Sequence, residues 1–291
     1  MESSDKINGI NCARETNSHV AELDSGRANV MKESIQPSDG KIAFCFLTYD
    51  EIIRYDIWNY FFRNCDSEKY TVFIHPKNMI TYNDNYTFKY NIVKNIVNTT
   101  GKDNISIVHA TIRLLKETYK SNNTYPNITH YIFLTQSCIP LYSFNYMYNI
   151  ITQFPSSVIS SIDNNKKDRY LQLSNTIRPY INYNNFVKQQ PNMILIKNDV
   201  ETLINKNYTE HFKNMQCPDE HYFINVLANI LKKKIIKKQI NFCNNDLRRT
   251  QALEFKIVNK FFIDKIRNNG FLFMRKISKN SIVDIEYLYG K

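Results

Sequence analysis

The sequence predicts an α/β fold whose central sheet is mainly parallel and flanked by helices. Three observations predict it. Residues 42–47, "IAFCFL", form a continuous apolar run, as a strand buried on both faces requires. Such runs alternate with segments of helical spacing, in the rhythm that lays helices over a parallel sheet. The chain has 291 residues at 43% hydrophobic content, enough to build the core of one large domain.

Each element has its own warrant. In "EIIRYDIWNYFFRN" the residues Ile53, Ile57, Tyr60 and Phe61 share a helical face. "YTVFIHPK" reads as a second strand, stopped by Pro76. "ISIVHATIRLLKETYK" is an amphipathic helix with Ile107, Ile112 and Leu115 at suitable intervals, and Ser106 is its expected N-cap. "HYIFLTQSCIP" is a third buried strand ending in a polar loop. "SFNYMYNIITQF" is a helix with Ser143 as N-cap, and "SSVISSI" is a short strand. Further on, "NMILI", "KKIIKKQINF" and "GFLFMRKI" read as strands and residues 218–232 as a helix. No repeat and no Gly/Pro-rich linker divides the chain, so one domain over residues 41–291 is expected. Residues 1–40 are polar, acidic and without periodicity, and read as a disordered leader.

In such folds ligands bind beyond the carboxyl ends of the strands. The residues expected there are Thr48 to Asp50, His75 to Lys77 and Thr135 to Cys138, all in polar or basic stretches.

Charge narrows the ligand. Residues 1–40 hold four basic and seven acidic residues, a net −3 against +11 for the whole chain, so the remainder carries +14. A basic body suits an anionic ligand. Aromatic residues sit at core spacings and not as an exposed ladder, so nucleic acid is not expected. The six cysteines form no CxxC pair and match no zinc spacing, which favours a reducing compartment. No apolar run near the N-terminus is long enough for a signal peptide or a membrane span, which favours a cytoplasmic location. GxGxxG, the P-loop, GxSxG and HExxH are missing, and residues 41–291 hold no Asp-x-Asp.

The stretch "CPDEHYFINVL" at residues 217–227 puts two acids at the head of a helix. Capping explains both, since first-turn acids stabilise the helix dipole by about 0.3–1 kcal/mol each and proline suits the first helical position. Metal binding and acid–base chemistry remain open on local sequence alone.

Several segments taken in order resolve this by resemblance. "FCFLTYDE", "YTVFIHPK", "ISIVHATIRLLK", "YIFLTQSCIPLYSF", "RY" at 169–170, "FVKQQPNMIL", "CPDEHYFINVL" and "GFLFMRKIS" span residues 42–278. Together they resemble the core-2/I-branching β-1,6-N-acetylglucosaminyltransferase family, most closely its plant-type and microbial branch. The resemblance implies a Rossmann-like, glycosyltransferase A-type fold and an inverting transfer. The donor would be a UDP-sugar, the acceptor a hydroxyl of a glycan or glycoconjugate, with no cofactor and no metal required. It matches Glu220 to the catalytic base and Lys276 to the lysine on the donor diphosphate. A second basic residue there is matched to Arg249, with Arg248 as alternate, and Arg275 adds charge. The nucleotide-sugar cleft would hold Thr48, His75, Lys77, Ser106, Gln136 and Ser137. Arg169, Tyr170, Lys188 and Asp219 fall on the acceptor side, Asp219 mainly as a cap.

The chemistry is self-consistent. An inverting displacement needs one base for the acceptor proton, and fixed cations can stabilise the leaving diphosphate in place of a metal. The chain departs from the family pattern where Asn192 replaces a tryptophan, Gln136 a carboxylate and Lys77 an aspartate. These changes bear on donor and acceptor identity, with N-acetylglucosamine the first donor sugar and xylose or glucuronic acid next. They also motivate the alternative of a catalytically silent binding protein on the same fold. Relatives usually work as Golgi membrane proteins.

Overall fold

A computed structural model describes residues 40–78, 84–100, 104–124, 126–162, 167–244 and 252–289. The expected leader, apart from Gly40, and both Arg248 and Arg249 lie outside the described residues. Ser38–Lys291 forms one compact unit.

The described strands are β1 (Lys41–Thr48), β2 (Tyr70–Pro76), β3 (Asn91–Ile92), β4 (Ile128–Thr135), β5 (Ile139–Pro140), β6 (Val158–Ile159), β7 (Met193–Ile196), β8 (Asn241–Cys243), β9 (Phe255–Val258), β10 (Phe273–Arg275) and β11 (Ile277–Val283). Six make the central sheet in the order β3-β2-β1-β4-β7-β6. β1 lies parallel to β2 and β4, and β2 to β3. Only β7 runs against its neighbours, β4 and β6. The expected α/β architecture with a mainly parallel sheet is therefore observed.

Strand alternation divides the core into two layers. On β1, Ala43 and Cys45 pack with Val108, Leu114 and Leu115 of helix α2 (Ser106–Lys120). Ile42, Phe44 and Phe46 point the other way, onto helices α1 (Tyr55–Phe62) and α3 (Phe144–Ile151). There Phe44 meets the rings of Trp58, Phe61 and Phe62 edge-on at 5.1–6.1 Å, the geometry that aromatic quadrupoles favour. The indole N–H of Trp58 donates to the Cys138 carbonyl at 3.0 Å, so its one polar group is satisfied in the core.

The buried face of α1 is Ile57, Trp58, Phe61 and Phe62, not the face expected through Tyr60, which is exposed. Ile53 precedes that helix. At α2 the Asn104 side chain accepts from the Ser106 N–H at 2.8 Å, so Asn104 takes the local role expected of Ser106. Ser143 does precede α3 but makes no side-chain cap bond.

A second lobe packs on the sheet. β10 lies between β5 and β8, and β9 pairs with β11. Its core joins Ile139, Met274 and Ile277 to Ile263 and Ile266 of a helix over Lys260–Asn268. Of the strand expected over residues 233–242, only the end forms one, as β8 from Asn241, and the lysine-rich part at 233–238 does not. Only Ile236 pairs, beside Val158, so these lysines flank the open edge of the sheet. Charged side chains at such an edge oppose pairing with another chain.

Candidate active site

A cavity of about 370 Å³ opens at the carboxyl ends of β1, β2 and β4. Thr48, Lys77, Gln136 and Ser137 line it, as expected. The turns there are interlocked. Gln136 accepts from the Tyr49 N–H through Oε1 at 2.6 Å, and its carbonyl accepts from the Ile53 N–H at 3.0 Å. The Lys77 N–H donates to the Thr48 carbonyl at 2.8 Å, and its ammonium lies 5.1 Å from the ring centre of Tyr49.

Two residues expected in the cleft are not on its wall. His75 shares its strand face with Phe73 and is fully buried, its Nε2 accepting from the Val97 N–H at 2.9 Å. Burial holds its pKa below the ordinary histidine value. Ser106 is also buried and its Oγ accepts from the Thr100 N–H at 3.1 Å, while Ile107 and Thr111 of the same helix reach the cavity. The start of a helix and the end of a strand mark a neighbourhood but not the direction of a side chain.

The opposite side of the cavity comes from the second lobe. The Ile277 N–H donates to the Ser137 carbonyl at 3.0 Å, which brings the junction of β10 and β11 against the loop after β4. Arg275 and Lys276 therefore line the same cavity as Gln136 and Ser137. The guanidinium Nε and Nη1 of Arg275 are buried without a hydrogen-bond partner. Burial, and next the charge of Arg275, push the Lys276 ammonium below its ordinary pKa. Two adjacent, half-buried cations with unused donors form a site that an anion would stabilise.

The acidic turn is held from behind. Asn225 accepts from the Val187 N–H at 3.2 Å and donates to the Val187 carbonyl at 2.8 Å. The Gln189 N–H donates to the Glu220 carbonyl at 2.7 Å, and Gln189 Oε1 accepts from the Ile224 N–H at 2.7 Å. The "FVKQQ" segment thus clamps residues 220–225. The expected helix over 218–232 is broken accordingly. It consists of a 3₁₀ turn at Pro218–Glu220, a short α-helical piece at Tyr222–Ile224 (α-helical φ/ψ) and a π-helical turn at Asn225–Ile230. Cys217 enters the turn in the left-handed region at φ 50°, a conformation that costs a non-glycine residue about 1–2 kcal/mol.

This turn separates the two acids. Glu220 has about a third of its side chain exposed, lies off the cavity wall, and its Oε2 sits 2.8 Å from the Lys188 ammonium. Asp219 lines the cavity, and its Oδ1 is buried with no hydrogen-bond partner. Asp219 does not occupy the cap position expected of it: the N-cap of the turn is Cys217, and the one backbone N–H acting on the Asp219 carboxyl is its own. Burial, and next the Glu220 charge, push its pKa up to about 7. The following His221 is stacked on Phe186 at 4.9 Å, and burial pushes it down to about 4.

Of the residues expected on the acceptor side, Arg169 keeps Nη1 buried and without a partner. Tyr170 is a packing residue: its hydroxyl donates to the Ile181 carbonyl at 2.9 Å and its ring meets Tyr183 and Phe186 edge-on. Asn192 is buried and its amide donates to the Phe133 carbonyl at 3.3 Å. Among the described residues no three His, Cys, Asp or Glu side chains gather as metal ligands would. No described helix is long and apolar enough to cross a membrane. Tyr49 lines the cavity as the expected range Thr48 to Asp50 implied, whereas the reading of the sequence missed Gln189 and Glu254 as cavity residues.

A family model described as Core-2/I-Branching enzyme matches residues 42–267. Glycosyltransferase BC10 of Oryza sativa subsp. japonica is 23% identical over 261 residues, which cover 78% of this chain and 63% of that protein. The chain thus spans less than two thirds of the length of that curated relative. Among solved structures, the apo WbbM bifunctional glycosyltransferase matches with a TM-score of 0.40 and 9% identity, over 82% of this chain and 46% of the other. Mouse xyloside xylosyltransferase 1, also apo, matches with a TM-score of 0.34 and 8% identity, over 81% and 96%.

Proposed function

This chain belongs to the core-2/I-branching enzyme family, and from that premise we propose that it is a glycosyltransferase that moves a sugar from a UDP-sugar to a glycan hydroxyl with inversion and without a metal. N-acetylglucosamine is the first donor sugar to test, then xylose and glucuronic acid. The acceptor oxygen forms a bond to the anomeric carbon as the bond to the diphosphate oxygen breaks. Glu220 takes the hydroxyl proton, and UDP leaves with the bonding pair. Removing one proton at the attacking oxygen and stabilising charge at the leaving one are the two tasks of the protein.

The observation that carries this reading is the unsatisfied cation pair. Arg275 brings two buried, unpartnered N–H groups into a cavity that also holds Lys276 and Lys77. A diphosphate would satisfy those donors and restore the full charge of Lys276, the role a metal plays where carboxylates are provided to hold one.

One observation favours a second reading, a silent binding protein. The Glu220 carboxylate is occupied by Lys188 and stands off the cavity wall. Purified protein separates the two. The transferase reading expects acceptor-dependent UDP release that a chelator leaves unchanged, and Glu220→Gln that binds donor but loses about 10²–10⁴-fold in transfer. Full turnover by Glu220→Gln would overturn the base, inhibition by chelator the metal independence, and donor binding without any transfer the enzyme mechanism.

A further inference from the structure

We infer that Asp219 reads the donor as a neutral acid: its carboxyl group donates a hydrogen bond from the cavity wall to an oxygen of the bound nucleotide sugar. The inference rests on the glycosyltransferase reading and moves Asp219 from the acceptor side to the donor side.

The geometry separates this carboxyl from its neighbour. Glu220 spends its carboxylate on Lys188 and its carbonyl on Gln189. Asp219 keeps an Oδ1 that is buried without a hydrogen-bond partner and belongs to a residue on the cavity wall with Arg275 and Lys276. A buried carboxylate held only by its own backbone N–H is costly, whereas a carboxylic acid needs only one acceptor. No protein group bonds Oδ1, so the acceptor for a proton carried there falls to the ligand.

The charges around the group favour the acid form. Glu220 faces it from its own turn, Lys188 from the clamping segment and Arg275 from β10. Across the cavity stand Glu254, Lys276 and Lys77. The two cations nearest it pull toward ionisation, but burial and Glu220 outweigh them and hold the carboxyl near neutrality, at about 7. A neutral acid also leaves the charge of Arg275 uncancelled for the diphosphate, which an ionised Asp219 would offset.

The test is donor affinity against pH. The full chain is titrated calorimetrically with UDP-N-acetylglucosamine and with UDP-xylose between pH 6 and 8.5, as wild type and as Asp219→Asn. If only the protonated form binds, wild-type affinity weakens about tenfold or more across that range, in proportion to the lost competent fraction. Asp219→Asn, whose amide also donates and does not titrate, is expected to hold a nearly level affinity. A level wild-type profile overturns the inference, as does an Asn variant that follows the wild-type slope. A folded Asn variant with no binding at any pH also overturns it, because the ionised form would then be the one required. Failure of the wild type to bind any UDP-sugar would instead overturn the donor reading itself, and the inference with it.

Discussion

Replacing Asp219 by asparagine should change how the stability of this protein depends on pH, in a direction opposite to the usual surface carboxylate. The ordinary aspartate value of 3.8 is raised to about 7 in the fold. Below 3.8 both folded and unfolded chains hold the proton, and the group is neutral in its effect. As pH rises from 3.8 to about 7 the unfolded chain releases the proton while the fold keeps it, so stability falls; above that the loss is complete. Each unit is worth about 1.4 kcal/mol, so roughly three units set a ceiling of ~4 kcal/mol. Because the side chain is partly open to the cavity, about 2–4 kcal/mol is expected, against a typical total of about 5–15. The single tryptophan, Trp58, lies buried in the core and reports unfolding by fluorescence. Urea melts at several pH values between 4.5 and 8 should show the Asn variant gaining on wild type by that amount. Groups that titrate in both chains, His221 among them, cancel in the difference. A difference that stays constant across the range would show Asp219 ionised throughout and refute the burial argument.

Other outcomes follow from the same geometry. Lys276→Met should weaken UDP-sugar binding by about 1.5–3 kcal/mol, the worth of a charge-assisted contact, without lowering stability, because it also removes repulsion from Arg275; calorimetry and urea melts check both halves. Lys188→Ala should change stability by less than about 1 kcal/mol, since its ion pair with Glu220 is about a third exposed, yet lower kcat if the ammonium is what orients the Glu220 carboxylate as base; unchanged or raised kcat would show that the pair does not serve catalysis. His221, pushed by burial from 6.5 to about 4, supports the fold above pH 6.5 and loses that support as pH falls through 4, worth about 3 kcal/mol, so His221→Phe should flatten the acid side of the stability profile. Trp58→Phe should cost roughly 2–3 kcal/mol by leaving a void and an unpaired Cys138 carbonyl, read from urea melts followed by circular dichroism.

The sequence by itself determined the elements and the neighbourhood of the site. The continuous apolar run of β1, buried on both faces, and the existence of helix α2 are local consequences of residue order and were readable from it, although α2 buries Val108, Leu114 and Leu115 and leaves Ile107 and Ile112 half-buried. The carboxyl ends of β1, β2 and β4 follow from that, and Thr48, Lys77, Gln136 and Ser137 do meet at one cavity. Spacing could not assign direction or distant partners. His75 and Lys77 lie two residues apart, but one is sealed in the core and the other faces the cavity. β7 runs antiparallel between β4 and β6, an arrangement that pairing decides and no run of residues encodes. The lysines of 233–238 share the pattern of a strand, but only Ile236 finds a partner. Most of all, the adjacent acids of "CPDEHYFINVL" were indistinguishable as helix-capping residues. The left-handed turn at Cys217 and the clamp from residues 187–189 placed Asp219 on the cavity and Glu220 beside Lys188. Local sequence sets which conformations are cheap, whereas the environment of a charge depends on residues thirty to sixty positions away, and only packing brings those together.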